Sequence, residues 1–331
     1  MLKELQEYLP NFTDGYITTS DNIKIHYIEG GKGEPLILTS GWPTSPCIFA
    51  YNLPEISKHF RVIAMETRGT GASEKPNHGY RMARIAKDVY DMLISLKIEK
   101  AYFMGHSMGA NVILSFIDLF GQNMIKKFIL VDQPPWLWSD LNESDESMIL
   151  HGGRRGEPYG FKKGFDISWE EGQKIFDSKD YFPTCGKTIA ESTPNGLKVM
   201  ELEEIMKKHY NYNSKMLVKL VIDHYMTDWR DILNIIEVPT LIITGENTHA
   251  MEVKCAQEML KNIKNGEMVI FTKEEYGNHI MMANSPEKFN RVVIEFLERK
   301  NEKKKIIKVL NLIISNEFIF IFIMLEHYLN L

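Results

Sequence analysis

Along this chain, two patterns of apolar and polar positions alternate. Short, largely apolar runs, LILTS (36–40), RVIAME (61–66), AYFMGH (101–106), FILVD (128–132) and TLIITGE (240–246), are each followed by turn residues. Runs of this length and composition suit strands buried on both faces. Between them lie stretches of helical periodicity, among them Met82–Leu96 and Met108–Phe120. This alternation predicts an α/β protein: a mainly parallel sheet with helices on both faces, and ligand chemistry at the carboxyl ends of the strands. Upstream, YITT and IKIHYIE within Gly15–Glu29 flank Ser20-Asp21-Asn22, which predicts a β-hairpin.

The rhythm stops after Asp132 and resumes at Thr240. An insertion, or cap, is therefore expected over 133–230, dividing a core into 1–132 and 231–300. Its first part (133–195) is rich in glycine, proline and aromatics. The stretch 197–226 reads as helical, with apolar residues at Leu202, Ile205, Met206, Leu217, Leu220 and Val221. Glu267–Thr272 reads as a last strand and Ser285–Lys300 as a closing amphipathic helix. The tail 301–331 is basic, then apolar. Its longest unbroken apolar run, FIFIFIML (318–325), falls far short of the roughly 20 residues a spanning helix needs. An interfacial anchor, an appended strand or a read-through end are the readings left for it.

Composition narrows the classes. With 331 residues, 44% hydrophobic and 25% charged, the chain is globular and not disordered, collagen-like or disulfide-stapled. A net charge of −5 gives no sign of the large basic surface that electrostatic nucleic-acid binding needs, so no nucleic-acid partner is expected. Cys47, Cys185 and Cys255 are odd in number and widely spaced, which argues against a disulfide framework and a zinc site. Lys3, Glu4 and Glu7 interrupt what an export signal would keep apolar. A reduced, cytoplasmic protein is expected, with a small-molecule substrate and no metal or cofactor.

The candidate chemistry begins at Gly105-His106-Ser107-Met108-Gly109, a G-x-S-x-G sequence directly after an apolar strand and directly before a helical pattern. By chance the bare pattern arises in roughly one chain in ten of this length. The strand-turn-helix context therefore carries the weight. A sharp turn there presents the serine oxygen above the sheet, and the flanking glycines let strand and helix approach.

At this point the chain resembles the α/β-hydrolase superfamily, specifically its cofactor-independent esterase, haloperoxidase-like and epoxide-hydrolase-like branch. Ser40-Gly41-Trp42-Pro43-Thr44 resembles the H-G-x-P turn after the third strand, and Glu66-Thr67-Arg68-Gly69-Thr70-Gly71-Ala72-Ser73 the D-x-R-G-x-G-x-S segment after the fourth. Met226–Leu233 followed by Val238-Pro239-Thr240 resembles the return from cap to core. Gly277-Asn278-His279, leading to Pro286-Glu287, resembles the superfamily's histidine loop. The likeness covers roughly residues 15–299 as an order of motifs.

The resemblance implies a Ser-His-acid triad with Ser107 as nucleophile and His279 as base. Its usual acid position, three residues after the glycine ending the strand at 240–245, is Thr248 here. Threonine cannot carry the negative charge that stabilises an imidazolium, so either catalysis is weak or the acid comes from elsewhere. Asp132, at the end of the strand after the nucleophile unit, is the first candidate. Glu246 is the second, and Asp228 serves only if the cap return folds across the site. The resemblance also maps the oxyanion hole to the backbone N–H groups of Trp42 and Met108, with Ser40 in place of the usual histidine before Gly41. Arg68 and Ser73 read as scaffold. Trp136 and Trp138 are the expected substrate contacts, while Tyr159, Phe161, Trp169, Tyr181 and Phe182 either line the pocket or form the cap's own core. The expected activity is cleavage of an ester, lactone or related acyl bond. Perhydrolysis at the same acyl-enzyme is the alternative, and a weakly catalytic ligand-binding member of the fold is a third reading.

Overall fold

The computed structural model describes residues 3–137, 193–248 and 250–299. Eight strands form one sheet: β1 (Thr13–Thr18), β2 (Lys24–Gly30), β3 (Pro35–Thr39), β4 (Arg61–Met65), β5 (Ala101–His106), β6 (Ile125–Val131), β7 (Thr240–Gly245) and β8 (Gly266–Phe271). Their spatial order is β1-β2-β4-β3-β5-β6-β7-β8. β1 and β2 form the expected hairpin, pairing from Thr13 opposite Glu29 to Thr18 opposite Lys24. β2 joins β4 antiparallel, and every remaining pair is parallel.

The apolar runs are buried as their lack of alternation requires. Leu36, Ile37, Leu38, Val62, Ile63, Phe103, Met104, Ile129, Leu130 and Ile242 are fully enclosed, the condition of a parallel sheet covered on both faces. β6 begins three residues earlier than the apolar run FILVD, because pairing of Ile125 with Ala101 and of Lys127 with Tyr102 extends it. Backbone pairing overrides side-chain polarity there, and Lys127 is buried.

The helices are α1 (Lys3–Tyr8), α2 (Leu53–Ile56), α3 (Met82–Ser95), α4 (Met108–Phe120), α5 (Pro194–Tyr210), α6 (Ser214–Met226), α7 (Arg230–Leu233), α8 (Val253–Asn262), α9 (Met281–Asn284) and α10 (Pro286–Glu298), with a short 3₁₀ turn at Pro46–Phe49. Ile85, Val89, Met92 and Leu93 form the buried face of α3. α4 is enclosed almost all round, from Met108 to Ile117. The single helical stretch expected over 197–226 is instead two helices. Asn211 takes a left-handed conformation (φ 47°) that ends α5, and Asn213 accepts a bond from Met216 N to start α6. Both are side chains suited to leaving and entering helices. Residues 138–192 and the tail 300–331, including most of the expected cap aromatics, lie outside the described residues. The chain separates into two compact units, Met1–Val293 and Ile294–Leu331. The sheet belongs wholly to the first, and of the second, residues 294–298 are helical. Among the described residues, no helix is long and apolar enough to cross a membrane.

Candidate active site

The parallel order places the ends of β5, β6 and β7 side by side, with the loop after β8 next in line. Ser107 lies between β5 and α4 with φ 53° and ψ −134°, a left-handed conformation that a non-glycine residue adopts at a cost. Its N–H donates to Val131 O at 2.9 Å, which fixes the turn to β6. Gly105 makes the turn feasible, because a Cβ there would come within 2.5 Å of Ala110 N. Asp132 (φ 50°) and Tyr276 (φ 54°) also lie at positive φ, so three of the six described non-glycine residues with positive φ fall in segments that follow the carboxyl ends of β5, β6 and β8.

Across these strand ends runs a hydrogen-bonded relay. His279 Nδ1 lies 2.7 Å from Asp132 Oδ2, and His279 Nε2 lies 3.1 Å from Ser107 Oγ. A carboxylate only accepts, so Nδ1 carries the proton and Nε2 presents a lone pair to the Ser107 hydroxyl. Asp132 is fully enclosed, while His279 keeps a partly open side. Thr244 Oγ1 donates to Asp132 Oδ1 at 3.1 Å, and Thr248 Oγ1 donates to Oδ2 at 2.5 Å. Thr248, at the position where the resemblance puts the acid, thus serves as a donor to the Asp132 carboxylate one strand away. Glu246 points elsewhere, accepting from Lys273 N at 3.1 Å, and Asp228 pairs with Arg230.

His106, within the turn itself, joins this cluster. Its Nε2 lies 2.8 Å from the carbonyl of His279, and the two rings pack 4.6 Å apart. Burial, with a contribution from neighbouring His279, lowers its pKa to about 3, so the ring is neutral and Nε2–H is the donor. Asn278 supports the same loop by accepting from Ile280 N at 3.0 Å and from Asn284 Nδ2 at 2.9 Å. No local motif announces the His106 bond, since its acceptor is a backbone carbonyl 173 residues away.

The expected oxyanion donors flank Ser107. Met108 opens α4, where the first N–H groups have no acceptor within the helix. Trp42 follows Gly41, whose position is so close to Ser107 that a Cβ would meet the Ser107 Cβ at 2.9 Å. Ser40 is buried and its hydroxyl has no partner among the described residues. The Trp136 ring lies 4.3 Å from the guanidinium of Arg230. Trp138 and His249 lie outside the described residues. Among the described residues, no cluster of histidine, cysteine and carboxylate side chains could hold a metal ion.

Comparison with known proteins agrees with this architecture. The sequence model of the alpha/beta hydrolase fold matches residues 34–171. The chain is 26% identical over 287 residues to the AB hydrolase superfamily protein YisY of Bacillus subtilis, covering 85% of this chain and 98% of that one. It is likewise 26% identical over 303 residues to human epoxide hydrolase 4, covering 88% and 81%. The solved esterase EaEST of Exiguobacterium antarcticum superposes with a TM-score of 0.71 at 25% identity, covering 86% of this chain and 99% of that one. The chain carries the α/β-hydrolase fold, and these similarities support the α/β-hydrolase superfamily as its family.

Proposed function

We propose that the protein is a serine hydrolase that cleaves an ester, lactone or related acyl bond. The relay of Asp132, His279 and Ser107, with contacts of 2.7 and 3.1 Å, carries this reading. Ser107 Oγ attacks the acyl carbon while His279 Nε2 takes its proton, and Asp132 stabilises the imidazolium so formed. The tetrahedral oxyanion receives the backbone N–H groups of Met108 and Trp42. His279 then gives its proton to the departing alcohol oxygen, leaving an acyl-enzyme on Ser107. Water, deprotonated by the same nitrogen, releases the acid and restores the serine.

Epoxide opening through an ester on the enzyme needs a carboxylate nucleophile, and the turn carries Ser107 instead. Labelling with a fluorophosphonate probe, alongside a panel of short acyl esters, tests the proposal. Ser107 is expected to be labelled, and Ser107→Ala to abolish both labelling and turnover. A folded protein whose Ser107 resists the probe would be a ligand-binding member of the fold, and the hydrolase reading would fall.

A further inference from the structure

We propose that Glu203 is a positioning residue for the loop that holds the oxyanion donor Trp42, so that helices α5 and α6 help set the competence of the site. This rests on the hydrolase reading above.

Two ties reach this loop from opposite helices. The Trp42 indole Nε1 donates to Leu217 O of α6 at 2.8 Å. Three residues on, Ser45 N–H donates to both carboxylate oxygens of Glu203 on α5, at 2.9 and 3.2 Å. Ser45 Oγ and Cys47 Sγ add bonds of 3.3 and 3.0 Å to Glu203 Oε1. Glu203 is only 2% exposed, and no cation pairs with it among the described residues. A buried carboxylate without a counter-ion is costly unless donors satisfy it. Here every observed donor comes from this loop and the 3₁₀ turn that follows it. The carboxylate and the loop therefore hold each other in place, across a sequence separation of 158 residues.

Burial pushes the Glu203 carboxyl up to about 7, despite the bonds from Cys47 and Ser45 that oppose the shift. The titratable groups facing it are Cys47 of the 3₁₀ turn, Tyr212 between α5 and α6, and Glu66 after β4. Burial raises both the thiol and the phenol, so both are neutral near pH 7. The ionised carboxyl accepts from all the loop's donors, whereas protonation turns one oxygen into a donor with no acceptor supplied by Ser45 N–H. The grip on the loop then weakens as pH falls through the Glu203 pKa.

The test uses the full chain with p-nitrophenyl acetate. Glu203→Gln preserves shape and one acceptor oxygen but not the charge. We expect kcat to fall about ten-fold, less than the roughly hundred-fold that losing an oxyanion donor outright costs, with KM changed by less than about two-fold. The wild-type rise of kcat with pH should include an ionisation near pH 7 that the variant's profile lacks. Trp42→Phe, which removes the other tie, should lower kcat in the same sense, and it decides the matter if Glu203→Gln fails to give a cooperative melt. A folded Glu203→Gln with wild-type kcat and pH profile, in an enzyme whose Ser107 is labelled, overturns the positioning role alone. So does wild-type kcat in Trp42→Phe when that variant decides. A folded wild type that is neither labelled nor active overturns the hydrolase reading and the positioning role together.

Discussion

Two histidines in this protein hold a carboxylate at almost the same distance, with different chemical prospects. His279 Nδ1 lies 2.7 Å from Asp132, and His26 Nδ1 lies 2.8 Å from Glu66. The second nitrogen separates them. That of His279 meets the Ser107 hydroxyl, whereas that of His26 meets Asp14 at 2.8 Å. Burial alone would lower the pKa of His26, but hydrogen bonds and charge from Glu66 and Asp14 outweigh it and raise the value. Both ring nitrogens then donate, and no lone pair is left to accept a proton. Around His26 the surroundings are scaffold: its N–H donates to Ser73 Oγ at 2.9 Å, and Ser73 Oγ donates to Glu66 O at 2.8 Å. Nearby, Arg68 bridges Asp88 and Asp21 with bonds of 2.7–3.1 Å, tying the hairpin turn to α3. One exchanged partner, hydroxyl for carboxylate, separates the arrangement proposed to relay a proton from a fixed ion cluster.

The strongest way to break this contrast is Asp132→Asn. It leaves the His279 ring in place but removes the charge that favours its imidazolium, so kcat for a cleaved ester should fall by about 10⁴-fold while the melt stays cooperative. Near-full activity would transfer the acid's role to Glu246. A smaller effect is expected from Thr248→Val, which removes one donor from Asp132. Steady-state kinetics should show kcat down roughly 3- to 10-fold, against no measurable change in Glu246→Gln. The smallest effect on chemistry belongs to His26→Gln, which should leave kcat unaltered and lower Tm by a few degrees. Because the folded pKa of His26 is raised above its unfolded value near 6.5, its stabilisation is complete below that value and fades as pH rises through the folded pKa. Thermal melts from pH 5.5 to 9.5 should therefore show the gap between wild type and His26→Gln closing toward alkaline pH. A gap that widened would mean that the imidazolium is not what stabilises this cluster.

Much of the architecture was legible in the amino-acid sequence, because strands buried on both faces leave uninterrupted apolar runs and the turns between them use glycine, asparagine and aspartate. The turn at Ser107 was legible for the same local reason, as was the strand end that bears Asp132. What escaped were bonds whose partners meet only after the sheet is assembled. Thr248 reads as a missing carboxylate until β6 and β7 lie side by side, when its hydroxyl reaches Asp132. Glu203 carries no local signal in the sequence. It is buried beside Leu202, Val199 and Met206 because its acceptors are consumed by a loop far earlier in the chain. The division between α5 and α6 depended on Asn211 leaving the helix, a conformation that asparagine tolerates but does not dictate.

The contact between Thr248 and Asp132 bears on how such a site can change over generations. The charge that faces His279 has two neighbouring addresses, one after β6 and one after β7, within a single hydrogen bond of each other. A chain with aspartate at both would hold two carboxylates in contact, one of them taking up a proton. Either could then be lost while the other kept the imidazole oriented. On the proposed reading, single substitutions suffice to move the acid along the sheet without passing through a form that lacks one.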